Sequence, residues 1–259
     1  MTSTPTTIVT GASSNHARSI VQFLKSVKIF EPSSRCIIYD LGLTCEQVEN
    51  ISKMIENGSG LWEIRRFDYS LVPDYFNIEV NAGEYAWKPV IISEVTEEVR
   101  EEDAGEKRFV FWCDAGNKLT SSLDMLRSVA KEDGVFTAIS SGNIDTWTHP
   151  GCLRYLEGSG LLSRNINSHF PNRNAACVGI DVTNDCAMGV ISLWGELAKI
   201  KECIAPNGSS RANHRQDQAL LTILYYDMIL DMCEKNKTPF TLDNYIYNTG
   251  SVRIHCDID

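Results

Sequence analysis

One acidic residue closes the most apolar stretch of the sequence. Residues 108–113 read Arg-Phe-Val-Phe-Trp-Cys, and Asp114 follows, with the small residues Ala115 and Gly116 after it. Such a run is typical of a strand buried on both faces of a parallel sheet, where ligands gather at the carboxyl ends of the strands. A carboxylate there suits a hydrated divalent cation or a ribose hydroxyl beside a diphosphate. We therefore expect Asp114 to meet a ligand, although capping of the next turn is the alternative.

Three predicted strands precede this run, over residues 7–10, 35–40 and 61–67, and the first two concern the ligand. The loop after the first strand of an open α/β sheet commonly holds a nucleotide. Because the carboxyl ends of parallel strands meet at one edge, we expect the ends of both strands to lie near Asp114 and to contact the same ligand. The residues concerned are Thr10, Gly11, Ala12 and Asp40.

Strand and helix signals alternate along most of the chain. Thr44 and Gln47 form a capping box that opens one helix, and Pro89 fits the first turn of another. Residues 219–232 are apolar on nearly every side, which predicts a buried helix. Alternation of this kind indicates α/β architecture. The sequence thus predicts a single domain over residues 1–259, with a mostly parallel central sheet flanked by helices.

The composition of the chain argues against several partners. Its 259 residues carry a formal net charge of -10 and give a pI of about 5.0, whereas a nucleic acid or an anionic membrane requires a basic surface. No segment approaches the roughly 20 apolar residues of a membrane span. The nine cysteines include no Cys-x-x-Cys pair, as is typical of free thiols in a reducing compartment. We expect a cytoplasmic protein without a membrane span or a nucleic-acid partner.

The start of the sequence raises a competing hypothesis. Residues 9–14, Val-Thr-Gly-Ala-Ser-Ser, imitate the opening of a short-chain dehydrogenase that binds NAD(P). That motif needs further glycines so that the backbone can approach the pyrophosphate, whereas Asn15 and His16 follow here. The sequence also contains no Tyr-x-x-x-Lys pair for hydride transfer. An NAD(P)-dependent oxidoreductase is therefore the weaker alternative.

Four segments taken together resemble a nucleotide-sugar glycosyltransferase of the GT-A type, and within that type the glycogenin-like branch. Their order and spacing agree with this resemblance across roughly residues 6–255. The segments are Trp87-Lys88-Pro89, Cys113-Asp114-Ala115-Gly116, residues 174–180 and Asp217-Gln218. The resemblance implies a GT-A-like domain with a nucleotide-binding half at about residues 1–117 and an acceptor and catalytic half at about 118–259.

On the phosphate side of the donor, the resemblance implies a metal-assisted site with Mn²⁺ or Mg²⁺. Asp114 matches the first acid of the family's Asp-x-Asp motif, and Lys88 matches a lysine that serves the donor. His255 matches a late histidine that completes the metal shell, and Ala115 and Gly116 would lie beside the donor. Gly116 replaces the second acid, which removes an anionic ligand. This departure keeps open a catalytically inactive nucleotide-sugar-binding module.

On the sugar side, the resemblance implies that Asn174 lies near the donor sugar and that Asp217 and Gln218 face its reacting side. Breaking a sugar-diphosphate bond develops positive charge at the anomeric carbon and negative charge on the departing phosphate. Asp217 would steady that carbon or take the acceptor's proton, unless it only complements a helix dipole. The implied reaction moves a sugar from a nucleotide donor, by default a UDP-sugar, to a hydroxyl of a glycan, protein or small molecule, with retention of configuration.

Overall fold

A computed structural model describes residues 5–56, 61–102, 108–162 and 164–258. The strands are Thr6–Ala12 (β1), Arg35–Asp40 (β2), Trp62–Arg66 (β3), Phe109–Cys113 (β4), Lys118–Leu119 (β5), Val135–Asn143 (β6), Pro171–Asp181 (β7) and Val252–Arg253 (β8). The α-helices are Ala17–Phe30 (α1), Cys45–Glu56 (α2), Trp87–Glu102 (α3), Asp124–Asp133 (α4), Ile144–Trp147 (α5), Pro150–Gly158 (α6), Asp185–Ala198 (α7), Lys201–Ile204 (α8) and Gln216–Lys235 (α9). Short 3-10 helices occur at Ser14–His16, Tyr69–Leu71, Asp74–Phe76, Asn81–Tyr85 and Leu242–Tyr245.

The central sheet has the strand order β3-β2-β1-β4-β7-β6, and β5 pairs separately with β8. The pairs β3–β2, β2–β1 and β1–β4 are parallel, whereas β7 is antiparallel to both β4 and β6. The predicted α/β class with a mostly parallel sheet is confirmed. One detail differs, because β4 lies between a parallel and an antiparallel neighbour rather than within an all-parallel sheet. As a result, the beginning of β7 lies at the same edge of the sheet as the carboxyl ends of β1, β2 and β4.

The apolar character of β4 follows from its position between two cores. Successive side chains of a strand point to opposite faces of the sheet. Trp112 packs on one face with the cluster that includes residues of α3, α7 and α9, while Phe111 packs on the other with residues of α1 and α4. All five residues of β4 are buried. Both faces therefore exclude water, and the strand end is held firmly where Asp114 follows.

Local signals in the sequence agree with the helix starts. Thr44 N donates to Gln47 Oε1 at 2.9 Å and Gln47 N donates to Thr44 Oγ1 at 3.3 Å, which is the predicted capping box. Helix α3 begins at Trp87 and has Pro89 in its first turn. Helix α9 is buried along most of its length. Among the described residues, no helix is both long enough and apolar enough to cross a bilayer.

Gly179 of β7 offers a test of how closely β4 and β7 are packed. A Cβ added at Gly179 would lie 2.9 Å from Cζ of Phe111, whose side chain is fully buried and cannot easily move. We expect Gly179→Ala to lower the free energy of unfolding by about 1 to 3 kcal/mol through overpacking. Gly189→Ala is the control, because this glycine is exposed in α7 with nothing near its added Cβ.

The control should leave stability unchanged or raise it by up to about 1 kcal/mol, as expected for Gly to Ala within a helix. Urea unfolding of both variants measures the difference. Equal stability of the two variants would contradict the close packing of β7 against β4.

Candidate active site

A buried lysine joins three elements at the carboxyl edge of the sheet. Lys88 Nζ lies 3.0 Å from Asp114 Oδ1 and 3.0 Å from Asp217 Oδ2. Lys88 comes from the first turn of α3, Asp114 follows β4, and Asp217 belongs to the first turn of α9. Lys88 and Asp217 are buried, while 34% of the Asp114 side chain is exposed. These three residues, the Lys88 triad, thus bring one cation between two carboxylates.

Neighbouring groups fix the Asp114 carboxylate. Asp114 N donates to Ala176 O at 2.9 Å, which ties the strand end to β7. Trp112 Nε1 donates to Asp114 Oδ1 at 2.6 Å, and this is the oxygen that Lys88 also contacts. Both of these side-chain contacts thus fall on Oδ1 of Asp114.

The other two members of the triad are held from the opposite side. Lys88 Nζ donates to Ala175 O at 3.5 Å and lies 5.8 Å from the ring centre of Trp112, within the range of a cation–π contact. Trp194 Nε1 donates to the backbone oxygen of Asp217 at 2.9 Å, which anchors the first turn of α9. The Lys88–Asp217 contact is an ion pair, and no group of the described residues donates a hydrogen bond to Asp217 Oδ2.

Burial and charge act in opposite directions on the triad. Burial raises the pKa of Asp217, the Lys88 ammonium opposes that rise, and the negative charge of Asp114 adds to it; the net pKa is raised. For Lys88, burial lowers the pKa, but the two carboxylates outweigh burial and the net pKa is raised. Lys88 is therefore a fixed positive charge throughout the neutral range.

Strained backbone flanks two members of the triad. Within Asn81–Tyr85, just before α3, four residues other than glycine have φ between 49° and 55°. Gln216, directly before Asp217, has φ of 36°. Gln216 Nε2 donates to Glu84 Oε2 at 3.2 Å, which joins the two strained segments. Strain of this kind clusters at functional sites, because surrounding contacts must hold it in place.

A cavity of about 480 Å³ opens beside the triad. Its volume is within the range of small-molecule sites. The predicted residues that line it are Gly11, Ala12, Lys88, Asp114, Ala115, Gly116 and His255. Sequence reasoning did not assign Asn15, His16, Tyr85, Trp87, Asn117, Arg211 and Asp257, which also line it. A larger cavity of about 640 Å³ lies along α1, away from the triad.

Five predicted residues do not line this cavity. Asp40 accepts hydrogen bonds at Oδ1 from the backbone N–H groups of Gly42 and Leu43, so it closes its own turn. Asn174 Oδ1 accepts a hydrogen bond from Ala176 N at 2.7 Å.

The remaining three predicted residues that do not line the cavity are Thr10, Asp217 and Gln218. Thr10 Oγ1 and Gln218 Nε2 are buried and have no hydrogen-bond partner among the described residues. Asp217 contacts Lys88, which lines the cavity. Their roles toward a ligand stay predictions.

The donor set for a divalent cation is only partly assembled. Asp114 and His255 line the same cavity, and carboxylate and imidazole are both suitable ligands for Mn²⁺. Throughout the described ranges, however, no three His, Cys, Asp or Glu side chains converge on one point that could hold a cation. The residues present therefore fit a cation that takes further ligands from a bound diphosphate and water.

Removal of the Lys88 charge tests the electrostatics of the triad. We expect Lys88→Met to destabilise the fold by about 3 to 5 kcal/mol at pH 8, because it leaves the Asp217 carboxylate buried without a cation. A raised folded-state pKa of an acid means that stability is lost as pH rises and regained as pH falls. The penalty should therefore shrink as the pH falls toward the raised pKa of Asp217.

Urea unfolding of wild type and variant from pH 5 to pH 8 measures this penalty. Lys131→Met, which removes an exposed lysine from α4, serves as the control and should have little effect. A pH-independent penalty for Lys88→Met would show that the burial of Asp217 is not what makes the lysine necessary.

Comparison with known proteins identifies the fold. A family described as "Protein of unknown function (DUF1647)" matches residues 2–93, and no curated protein matches the sequence. The galactosyltransferase LgtC, in complex with donor and acceptor sugar analogues, is 15% identical; the alignment covers 96% of this chain and 87% of LgtC, with a TM-score of 0.53. An active-site mutant of LgtC is also 15% identical; the alignment covers 97% of this chain and 88% of the mutant, with a TM-score of 0.53.

The bifunctional glycosyltransferase WbbM, in its apo structure, is 12% identical, with 87% of this chain and 38% of WbbM covered and a TM-score of 0.52. These structural neighbours are GT-A glycosyltransferases. At such low identity the likeness concerns the backbone architecture. The chain has the GT-A glycosyltransferase fold.

Proposed function

We propose that the protein is a glycosyltransferase that moves a sugar from a nucleotide-diphosphate donor to a hydroxyl acceptor. The observation that carries this proposal is the Lys88 triad, which places a buried cation and two carboxylates beside a cavity at the carboxyl edge of a GT-A sheet. A transferase must meet negative charge on the leaving diphosphate and positive charge at the anomeric carbon. The triad offers charges of both signs within a few ångströms.

Lys88 would stabilise the leaving diphosphate through its positive charge. Its ammonium is already desolvated and fixed by its two carboxylates, so it needs little reorganisation when charge develops on the phosphate. Arg211 lines the same cavity, and its guanidinium lies 5.6 Å from the ring centre of Tyr85. A guanidinium is well suited to phosphate oxygens. Gly11 and Ala12, at the end of β1, would contact the nucleotide through their backbone.

The charge count of the triad favours a divalent cation with the donor. Two carboxylates and one ammonium sum to one negative charge, which by itself repels a diphosphate. We infer that Mn²⁺ or Mg²⁺ is held by Asp114 and His255 together with diphosphate oxygens. Such a cation would supply Lewis-acid stabilisation of the departing phosphate. Asp114 can take this part through Oδ2 while Oδ1 keeps its contacts with Lys88 and Trp112.

Asp217 and Gln218 are our candidates for the reacting side of the sugar. Burial raises the pKa of Asp217, and a raised pKa brings a carboxylate closer to the range in which it exchanges protons near neutral pH. Asn174 would lie close by, since the reversed direction of β7 carries its first residues to this edge. The donor is by default a UDP-sugar, and we expect retention of configuration. The acceptor is a hydroxyl of a glycan, protein or small molecule.

Ligand-dependent thermal unfolding tests the donor class. We expect UDP or GDP to raise the melting temperature and Mn²⁺ to increase that shift, because a ligand that binds only the folded state stabilises it. NAD(P) is the comparison ligand for the dehydrogenase hypothesis. Stabilisation by NAD(P) and not by either nucleoside diphosphate would overturn the proposal.

Hydrolysis of a UDP-sugar tests Asp217 separately. We expect Asp217→Asn to lower the release of UDP from UDP-glucose or UDP-galactose by about 100-fold or more while UDP affinity stays within a few-fold of wild type. Asp74→Asn, at an exposed acid that is not among the residues lining the cavity, is the control. Unchanged turnover would reject the role, and a parallel loss of UDP affinity would make Asp217 a positioning residue for Lys88.

A further inference from the structure

The cavity of about 640 Å³ lies along the partly exposed side of helix α1. Arg18, Gln22, Lys25 and Ile29 line it, and their spacing of three and four places them on one side of the helix. The other lining residues come from α1, α2, β5 and the segment after β8. Among the described residues, this α1 cavity shares no lining residue with the cavity beside the triad. Its volume is within the range of small-molecule sites.

Hydrogen bonds tie the surroundings of the α1 cavity to the helix. Leu119 N donates to Ser26 Oγ at 2.9 Å, which fixes β5 against α1. Ile258 N donates to Ser19 Oγ at 2.9 Å, which fixes the segment after β8. Because these bonds are formed within the protein itself, the cavity is present before any ligand arrives, as is usual for small-molecule sites.

The charges that line the α1 cavity are all positive. Arg18, Lys25 and Lys118 line it, and none of its described lining residues is acidic, although the whole chain carries a formal net charge of -10. Lys25 precedes Ser26 and Lys118 precedes Leu119, so the hydrogen bond between Ser26 and Leu119 brings the two lysines to neighbouring positions. Both lysines are exposed, and neither forms an ion pair with a described acid. The pair therefore attracts an anionic group.

The α1 cavity is also lined by four apolar side chains that are exposed or only partly buried. They are Val21, Ile29, Phe30 and Ile258. Ile29 is 69% exposed. A single exposed apolar residue is ordinary on a protein surface, whereas several that line one concave site beside a few polar groups are typical of a ligand pocket. The cavity thus offers an apolar surface next to a cationic one.

We propose that the α1 cavity binds a small amphipathic anion with one anionic head group and one apolar tail, as in a fatty acid. Lys25 and Lys118 pair with the head group, while Val21, Ile29 and Phe30 contact the tail. The positive lining selects an anion, and the apolar lining favours one with a tail over a fully hydrated ion. An anionic bilayer is a poorer occupant, because it attracts an extended basic surface and this chain is acidic as a whole.

Isothermal titration of the full chain with dodecanoate, below its micelle concentration, tests the inference. Two further probes separate its two parts: butanoate has the same head group without the long tail, and dodecyltrimethylammonium has the same tail with the opposite charge. We expect both to bind at least about 10-fold more weakly than dodecanoate, because one loses apolar burial and the other is repelled by the lysines. Equal affinity for the cationic probe would overturn the inference.

Two variants locate the site. We expect the double variant K25Q/K118Q to weaken dodecanoate binding by about 10-fold or more, because it removes both charge-assisted contacts to the head group. Ile29→Ser should weaken it by a further independent route, through loss of apolar contact with the tail. These three side chains are exposed, so the melting temperature should stay close to that of wild type. Lys131→Gln, at an exposed lysine that lines neither cavity, is the control.

The outcomes separate this inference from the proposed function, because the two cavities have different lining residues. A wild-type protein that does not bind dodecanoate would overturn the inference and leave nucleotide binding untouched. Wild-type dodecanoate affinity in both variants would also overturn it. Sedimentation with phosphatidylserine vesicles, if it occurred without any binding of dodecanoate, would replace the small amphipathic anion by a membrane surface.

Discussion

The burial of one ammonium group between two carboxylates is the constraint on which the site depends. A buried charge is costly unless it is paired and hydrogen-bonded. Lys88 is paired only because β4, α3 and α9 end or begin at the same place, so that Asp114 and Asp217 approach Nζ at 3.0 Å each. The strand end, the start of α3 and the start of α9 therefore cannot shift independently of one another.

The sheet provides the rigid support for this arrangement. β4 is buried on both faces, and its end is tied to β7 by the backbone hydrogen bond from Asp114 to Ala176. Asn117 adds a second hydrogen bond to Ala176 O at 2.7 Å. Since β7 runs opposite to β4, its early residues reach the same edge as the strand ends that carry the ligand-facing groups. The first residues of β7 therefore lie at the edge that carries the site. In a parallel strand, these residues would lie at the opposite edge of the sheet.

Much of the fold could be predicted because hydrophobic patterning reports burial directly. The apolar run before Asp114 and the apolar stretch after Asp217 both became buried elements in the expected places. The direction of β7 could not be predicted, since a doubly buried strand has the same composition whichever way it runs. The prediction that Asp40 contacts the ligand stays a prediction; its Oδ1 closes a turn at Gly42, and the Asp-x-Gly spacing is a signal for that turn. Asp257 left no periodic pattern, because it stands in a short exposed segment where only the fold creates proximity.

The three charges of the triad come from positions 88, 114 and 217, which are far apart along the chain. Contacts of high sequence separation are slow to form, because loop closure must precede them. A partly folded chain that buries any one of these charges before the others arrive would hold an unpaired ion in an apolar setting, at a cost of several kcal/mol. The ionic cluster therefore penalises half-assembled states and makes completion of the two sheet faces and α9 a single cooperative event.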